Sequence, residues 1–366
     1  IEQGGQRWFH LYPEEAIDFK DPLHWTGPYQ NWNTRCAECH STDLQKNYAR
    51  ETRSFDTTYK EIDVSCEACH GPGSKHLELA ASDSLSDTHG GGFPTDLAQR
   101  GEWEFPQGES IARRTEPLES NAQIDNCARC HSRRGTLGDY HYGADFLDTH
   151  RLSMVQSPLY HHDGQILDEV YVYGSFVQSK MHQAGVVCSN CHEPHSSQLR
   201  APGNAICAQC HKPDVYDSPD HHFHPTASAG ASCADCHMPE TTYMVVDPRR
   251  DHSMRIPRPD LSLVMGTPNA CNQCHTDKDA QWSVDALREQ GVIFRDTGSH
   301  FSRAFARLDA GDASGVPTLA QLANDPEAAP IWRATAMEAL GQVGGREATQ
   351  TMAALLYDDD AMIRTS

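Results

Sequence analysis

Residues 63–76 read DVSCEACHGPGSKH, with two cysteines, a two-residue gap and a histidine directly after the second cysteine. Cys66 and Cys69 have the spacing of a c-type haem attachment site, in which two thioether bonds hold the porphyrin and the next residue, His70, binds the iron. A Cys-x-x-Cys pair alone also serves zinc and redox sites. The histidine favours a covalent haem, and His76 offers a second imidazole six positions later.

The same pattern occurs seven times and uses all fourteen cysteines. The cysteine pairs are Cys36 and Cys39, Cys66 and Cys69, Cys127 and Cys130, Cys188 and Cys191, Cys207 and Cys210, Cys233 and Cys236, and Cys271 and Cys274. The histidines that follow them are His40, His70, His131, His192, His211, His237 and His275. Zinc ribbons pair two such units per metal, which an odd count does not suit, and a disulfide framework would not keep every pair at this spacing. The sequence predicts seven covalent c-type haems, with these histidines as proximal ligands.

Histidine is also abundant enough to supply the opposite face of every iron. The chain has 22 histidines, so those outside the motifs outnumber the seven distal positions. The distal candidates are His76, His161 or His162, His182, His195, the cluster His221, His222 and His224, His252, His24 and His10. Methionine ranks lower as a distal ligand because it raises the haem potential.

Seven haems in one folded unit must lie close together. All seven motifs lie between Cys36 and His275. A unit of about 275 residues has a radius of gyration of only about 19 Å. The apolar fraction of 38% and the mean hydropathy of −0.64 are low for a conventional core, so the macrocycles would supply much of the apolar interior. Close haems exchange electrons, and the motif density therefore predicts electron transfer through a packed array.

The charge balance and the start of the chain bear on partners and location. The chain has 30 basic and 51 acidic residues, a net charge of −21. Nucleic acid is not an expected partner because phosphate binding needs a basic face, and we expect redox partner proteins instead. No run of 18 apolar residues occurs, so no membrane span is expected. Because haem is attached outside the cytoplasm, we expect a periplasmic or extracellular protein whose export signal has been removed.

Residues 1–282 form the predicted multihaem domain. We expect a mainly α fold with extensive loops, because ligation rather than a hydrogen-bonded sheet would fix the chain. Short strands are predicted at 169–179 (EVYVYGSFVQS) and at 241–246 (TTYMVV), where β-forming residues alternate or cluster.

Residues 283–366 contain no cysteine and read as helices. The segments NDPEAAPIWRATAMEALG and YDDDAMIRTS align, with Arg333 and Arg364 as equivalent positions, which indicates a repeat of about 31 residues. We therefore expect a HEAT-like α-solenoid tail with a binding face for a protein partner. Because the chain ends inside the second copy, we expect the native protein to continue beyond Ser366.

Several runs resemble bacterial multihaem cytochromes of the doubled CxxCH type that carry a C-terminal helical-repeat domain. They are WTGPYQNWNTRCAECHSTDLQKNY (25–48), EIDVSCEACHGPGSKH (61–76), YVYGSFVQSKMHQAGVVCSNCHEPHS (171–196) and CHMPETTYMVVDPRRDHSMRIPRPDLS (236–262). The resemblance covers most of the chain. It implies one more haem-binding segment upstream of residue 1, and hence an eighth haem in the full-length protein.

A more distant resemblance concerns enzymes. GASCADCHMP (230–239) resembles the penultimate haem site of cytochrome c nitrite reductase, and His224-Pro225 lies where that enzyme has a His-Pro in its catalytic pocket. The catalytic haem of that family has lysine as proximal ligand, whereas all seven motifs here end in histidine. Hydroxylamine oxidoreductase, another relative by haem layout, does have a proximal histidine at its active haem.

The sequence thus favours an electron relay and leaves two alternatives open. One is an oxidoreductase acting on nitrite, hydroxylamine or tetrathionate at one open haem, with His222 and His224 in its pocket. The other is a subunit that stacks end to end into a conducting filament.

Overall fold

Short helices joined by long loops make up the first 275 residues. The computed structural model describes residue 10 and residues 12–244 and 246–366. The α-helices of this part are Ala37–His40, Cys66–His70, Ser74–Ala81, Ala122–His131, Phe146–Thr149, Tyr173–Phe176, Lys180–Gln183, Cys188–Cys191, Pro213–Tyr216, Pro219–His222, Cys233–His237, Pro259–Met265 and Ala270–Cys274. A π-helical turn, Trp32–Cys36, precedes the first of them, and 3₁₀ turns occur at Leu85–Asp87, His89–Gly92, Gly203–Ile206 and Ala229–Ala231. Helices of four to ten residues are not stable alone in water, so the tertiary environment must hold them.

The described β-structure consists of two-stranded antiparallel ribbons. They pair Tyr48–Ala49 with Ser54–Phe55, Trp103–Glu104 with Arg113–Arg114, Arg134–Thr136 with His150–Leu152, His192–Glu193 with Gln198–Leu199, and Glu240–Tyr243 with Asp247–Arg250. The last ribbon confirms the strand predicted at 241–246 as far as Tyr243, while Val245 lies outside the described residues. The mainly helical fold with few short strands agrees with the prediction.

The strand predicted at 169–179 is wrong. Tyr173–Phe176 forms a helical turn, and Tyr171 before it has a φ of 60°, which interrupts an extended chain. Residues 173–177 are all buried. The β-branched and aromatic side chains of this segment are therefore explained by its burial in the core. Such residues are also common in β-strands, which is why the sequence suggested a strand.

The C-terminal part is wholly helical apart from its turns. Its α-helices are Ala280–Glu289, Ser302–Asp309, Val316–Asn324, Pro330–Val343, Arg346–Leu355 and Ala361–Thr365, and a 3₁₀ turn lies at Ala313–Gly315. Arg333 and Arg364 are each the fourth residue of a helix. Arg333 donates to the carbonyl of Ala323 near the end of the preceding helix, and Arg364 donates to the carbonyls of Asp358 and Asp359 in the turn before its own helix. Their equivalence in a repeat and the HEAT-like solenoid stay predictions. No helix in the described ranges is both long and apolar enough to cross a bilayer.

One hydrophobic core joins this helical part to residues 124–187. Trp332 belongs to a buried cluster that includes Phe146 and Tyr160, and the partly buried Phe301, whose ring lies 4.6 Å from that of Trp332, packs against it. The Val155 amide donates to the Thr335 hydroxyl across the same interface at 3.1 Å. The predicted domain boundary between residues 282 and 283 is untested, and the core continues across it.

Candidate haem sites

The opening stretch folds as two helices around a glycine turn. The helix Cys66–His70 ends at Gly71, whose φ of 75° suits glycine, and a Cβ there would lie 2.5 Å from the Pro94 side chain. On the following helix, His76 donates from Nδ1 to the Gly91 carbonyl at 2.9 Å, and its ring stacks on Phe93. His76 is thereby held beside the neighbouring loop, with its Nε2 free to accept.

Four motif histidines face a second imidazole in nearly parallel orientation. The ring-centroid distances and interplanar angles are 6.1 Å and 3° for His70 and His195, 6.3 Å and 25° for His192 and His252, 5.9 Å and 15° for His237 and His221, and 6.2 Å and 28° for His275 and His224. Direct stacking would bring the rings much closer. Two imidazoles on opposite faces of one metal ion place their centroids about 6 Å apart, because each metal–nitrogen bond is about 2 Å and each nitrogen lies about 1 Å from its ring centre. The gap in each pair thus fits one iron.

Hydrogen bonds at Nδ1 set the tautomer of several paired rings. The Nδ1 atoms of His237 and His252 donate to the backbone carbonyls of Arg255 and Arg250 at 2.8 and 2.9 Å. The Nδ1 atom of His224 likewise donates to a backbone carbonyl. Such bonds orient the ring and leave Nε2 unprotonated, which is the form that binds a metal.

Burial supports the same protonation state. Burial lowers the pKa of His70, His192 and His252, and the neighbouring imidazole of His195 lowers that of His70 further. The neutral ring is therefore favoured at neutral pH, as metal ligation requires.

The three histidines of the cluster at 221–224 have different surroundings. His221 and His224 each face a motif histidine, whereas His222 belongs to neither pair. Its Nδ1 accepts from the His224 amide at 3.2 Å, and its Nε2 is buried without a hydrogen-bond partner. His222 thus remains available to a group that the four pairs do not use.

Within the described ranges, the other distal candidates do not form such a pair with a motif histidine. His10 is exposed and accepts from the Tyr12 amide, and the half-buried His24 bonds to Thr26. His161 lines a cavity of ≈ 220 Å³, His162 bonds to Asp309 at 2.9 Å, and His182 has a buried Nδ1 without a partner. Of the motif histidines outside the four pairs, His211 meets the ring of Tyr216 edge-on at 5.3 Å. For His40 and His131 the structure brings no candidate ring into stacking position among the residues it describes.

The third motif contacts the first two. The Sγ atom of Cys39 lies 3.9 Å from the carbonyl oxygen of Cys130. Arg129, between the two cysteines of the third motif, donates to the carbonyl of Ala68, between those of the second, at 3.0 Å. Three motifs therefore meet around the helix Ala122–His131, and we call this place the junction.

Further hydrogen bonds connect each motif region to the next one along the chain, from the third motif to the seventh. They join the Ser189 amide to Gln123 (3.0 Å), Gln209 to the Asn190 carbonyl (3.3 Å), the Cys233 amide to Asn204 (3.0 Å) and Gln273 to the Glu240 carbonyl (3.1 Å). The motifs thus form one continuous series, with the first and second motifs as two arms at the junction. Cys66 and Cys274, near its two ends, are exposed.

Sequence reasoning missed the residues between the paired cysteines. Glu38 bonds to His150, Lys46 and Thr136, and it anchors the first motif to the ribbon of residues 134–152. Arg129 makes the contact at the junction. Glu38 and Arg129 each stand directly before the second cysteine of their motif, and their charge could have singled them out. The Cys-x-x-Cys-His pattern, however, allows any residue at that position.

Without a cofactor, the described residues in the first third of the chain have no hydrophobic core of their own. Among the described residues before Ile124, the buried apolar side chains are those of Ala37 and Ala112. Near the second motif, Val64 and Leu77 are 51% and 69% exposed. A large apolar group beside each motif would cover such surface, and the residues present therefore fit covalent haem.

Comparison with known proteins agrees with the motifs. The doubled CXXCH motif family matches residues 181–216, which hold the fourth and fifth motifs. The family of cytochrome c554 and c-prime matches residues 18–71, which hold the first and second. The solved structure of the outer cell wall cytochrome OcwA is similar with a TM-score of 0.46 and 17% identity, over 91% of this chain and 74% of that chain. No curated protein matches significantly. The repeated motifs and the two family matches, which together cover about a quarter of the chain, support a multihaem c-type cytochrome.

Proposed function

We propose that the chain relays electrons through seven covalently bound c-type haems. The observation that carries the proposal is the set of four parallel imidazole pairs, each with a gap that fits one iron. A bound haem would supply a one-electron carrier at each motif. Imidazoles fixed on both faces keep the coordination unchanged between oxidation states, which suits a relay.

The protein residues have distinct roles in this proposal. The fourteen cysteines attach the seven groups, and the seven motif histidines bind them from the proximal face. His195, His252, His221 and His224 serve as distal ligands to the groups held at His70, His192, His237 and His275. The hydrogen-bonded series of motifs keeps neighbouring carriers close. Because c-type haems are attached outside the cytoplasm, the proposal includes a location in the periplasm or outside the cell.

Haem counting and electron paramagnetic resonance test the relay. Denatured protein should retain seven haems by mass, and the oxidised protein should show low-spin signals that cyanide and nitrite leave unchanged. His252→Ala should convert one low-spin signal to high-spin, whereas His162→Ala, which removes an imidazole bonded to Asp309, should not. A His252→Ala spectrum identical to wild type would contradict the ligand assignment.

An oxidoreductase acting at one open haem is the second candidate. The observation that favours it is His211, whose ring meets Tyr216 instead of a parallel imidazole. The position of His224 opposite His275 supports a ligand role for His224, which leaves His222 with its free Nε2 as the pocket residue. A high-spin signal that nitrite, hydroxylamine or tetrathionate shifts, and that His222→Ala alters, would favour the enzyme over the relay.

Partners would meet the array at its ends. Cys66 and Cys274 are exposed, so a redox partner protein or a second copy of the chain would approach the second or the seventh motif. Filament formation through these ends, and a protein partner on the helical tail, are further proposals. Light scattering at rising protein concentration tests self-association, because a filament predicts continuous growth in mass whereas a relay monomer predicts none.

A further inference from the structure

Arg129 lies at the centre of the junction. Its guanidinium carbon is 4.0 Å from the centroid of the Tyr140 ring and 5.2 Å from that of Tyr142. It donates to the Ala68 carbonyl at 3.0 Å and to Asn126 at 3.4 Å, while Nε is buried without a hydrogen-bond partner. The groups that Arg129 itself contacts here are neutral, and its side chain is half-buried, while Glu38, Asp43 and Asp139 line the same cavity.

The charge of Arg129 reaches three motifs at once. Arg129 lines a cavity of ≈ 110 Å³ together with Cys39, Cys69 and Cys130, one cysteine from each motif of the junction. The same charge acts on whatever these cysteines hold.

This cation is unusual in its setting. The residue pairs between the motif cysteines read AE, EA, AR, SN, AQ, AD and NQ, so Arg129 is the one basic residue among them. The chain as a whole carries a net charge of −21. A negative environment disfavours an added electron, and a half-buried cation opposes this locally. Arg134, the other arginine near Cys39, pairs with Glu38 at 3.4 Å, whereas the structure gives no ion pair for Arg129 among the described residues.

We infer that Arg129 sets the reduction potential at the junction, raising it so that electrons from the two arms collect there before they pass toward the seventh motif. The inference rests on the proposed relay. Each step moves one electron from a donor protein into a ferric haem, giving the ferrous form, and the electron later leaves to an acceptor protein. No proton is required, since the guanidinium stays charged throughout.

Spectroelectrochemical titration of the holoprotein tests the inference. Arg129→Gln should lower the reduction equilibrium constant of the junction haems by about tenfold, which corresponds to a fall of about 59 mV for one electron. Arg129→Lys keeps the charge and should restore most of the loss. The matched control is Arg113→Gln, which removes the same charge from an arginine whose side chain is 68% exposed.

The outcomes separate cleanly. The inference would be overturned if the titration curve of Arg129→Gln overlays that of wild type or of Arg113→Gln. It would also be overturned if the junction haems of Arg129→Lys have reduction potentials as low as those of Arg129→Gln. If Arg129→Gln does not take up haem, Asn126→Asp decides, because it places a carboxylate beside the guanidinium with little change of shape. It should lower the same potentials, and unchanged or raised potentials would refute the inference. Wild-type haems that do not exchange electrons at all would instead contradict the relay itself.

Discussion

Replacing Glu38 with Gln tests how the first motif is held. The Glu38 carboxylate accepts from His150 at 2.9 Å and Thr136 at 2.8 Å, and it pairs with Lys46 at 3.1 Å and Arg134 at 3.4 Å. Its side chain is 13% exposed and that of Arg134 is 10% exposed. The substitution keeps the size of the side chain but leaves two cations without their counter-charge.

The expected cost follows from this burial. Removing one partner of a buried ion pair costs about 3–5 kcal/mol, and the partial exposure of Lys46 at 27% places the estimate at the lower end, about 3 kcal/mol. Burial raises the pKa of Glu38, but the His150 hydrogen bond and the charges of Arg134 and Lys46 outweigh it and hold that pKa well below its usual range. Since the folded pKa is depressed, the stabilisation is present above the unfolded value of about 4.3 and is lost as the pH falls below it.

Native-state hydrogen exchange measures this cost locally. The amides of Arg134–Thr136 and His150–Leu152 should lose roughly 100-fold in protection at pH 7 in Glu38→Gln, and the difference from wild type should shrink toward pH 3. The control is Glu78→Gln, whose partner Lys75 and whose own side chain are 63% and 69% exposed, so it should change protection little. A loss below fivefold at pH 7, or a gap that is undiminished at pH 3, would refute the reasoning.

Three other predictions concern attachment, ligation and the shared core. Cys236→Ser should leave its haem attached by at most one thioether, so intact mass after denaturation should still show seven haems or fall to six, and five or fewer would contradict the motif assignment. His195→Ala should produce a high-spin electron paramagnetic resonance signal, whereas His24→Ala, which removes a half-buried ring bonded to the nearby Thr26, should leave the spectrum unchanged. Trp332→Ala should destabilise residues 124–187 as well as the tail by about 3–5 kcal/mol. The control Leu356→Ala, which changes an exposed side chain, should cost under about 0.5 kcal/mol. Hydrogen-exchange protection lost only in the tail would show that the core is not shared.

Attachment chemistry could be predicted from the sequence because it is encoded in five consecutive residues. Each motif brings its thiols and its proximal imidazole together without help from the rest of the fold. The pairing of imidazoles has no such local code. His195 follows His192 by three residues, yet its ring faces His70, 125 positions earlier. Proximity in sequence therefore identified His195 as a candidate but not its partner.

Local propensity failed where tertiary burial decides the conformation. Residues 169–179 are rich in β-formers, but they turn into a helix inside the core that the tail completes. The tail helices were predictable because their apolar periodicity is strong, as Trp332, Ala336 and Leu340 show by their burial. The roles of Glu38 and Arg129 were not, since each depends on residues distant in the chain.

Closure of the shared core has a consequence for biogenesis. Chains emerge from synthesis with the N-terminus first, so the motifs from Cys36 to Cys191 appear before the helix Pro330–Val343, which packs into the core of residues 124–187. The described residues before Ile124 bury almost no apolar side chain of their own. Within the proposed function, this order would leave the early thiols accessible for haem attachment until the last helices pack.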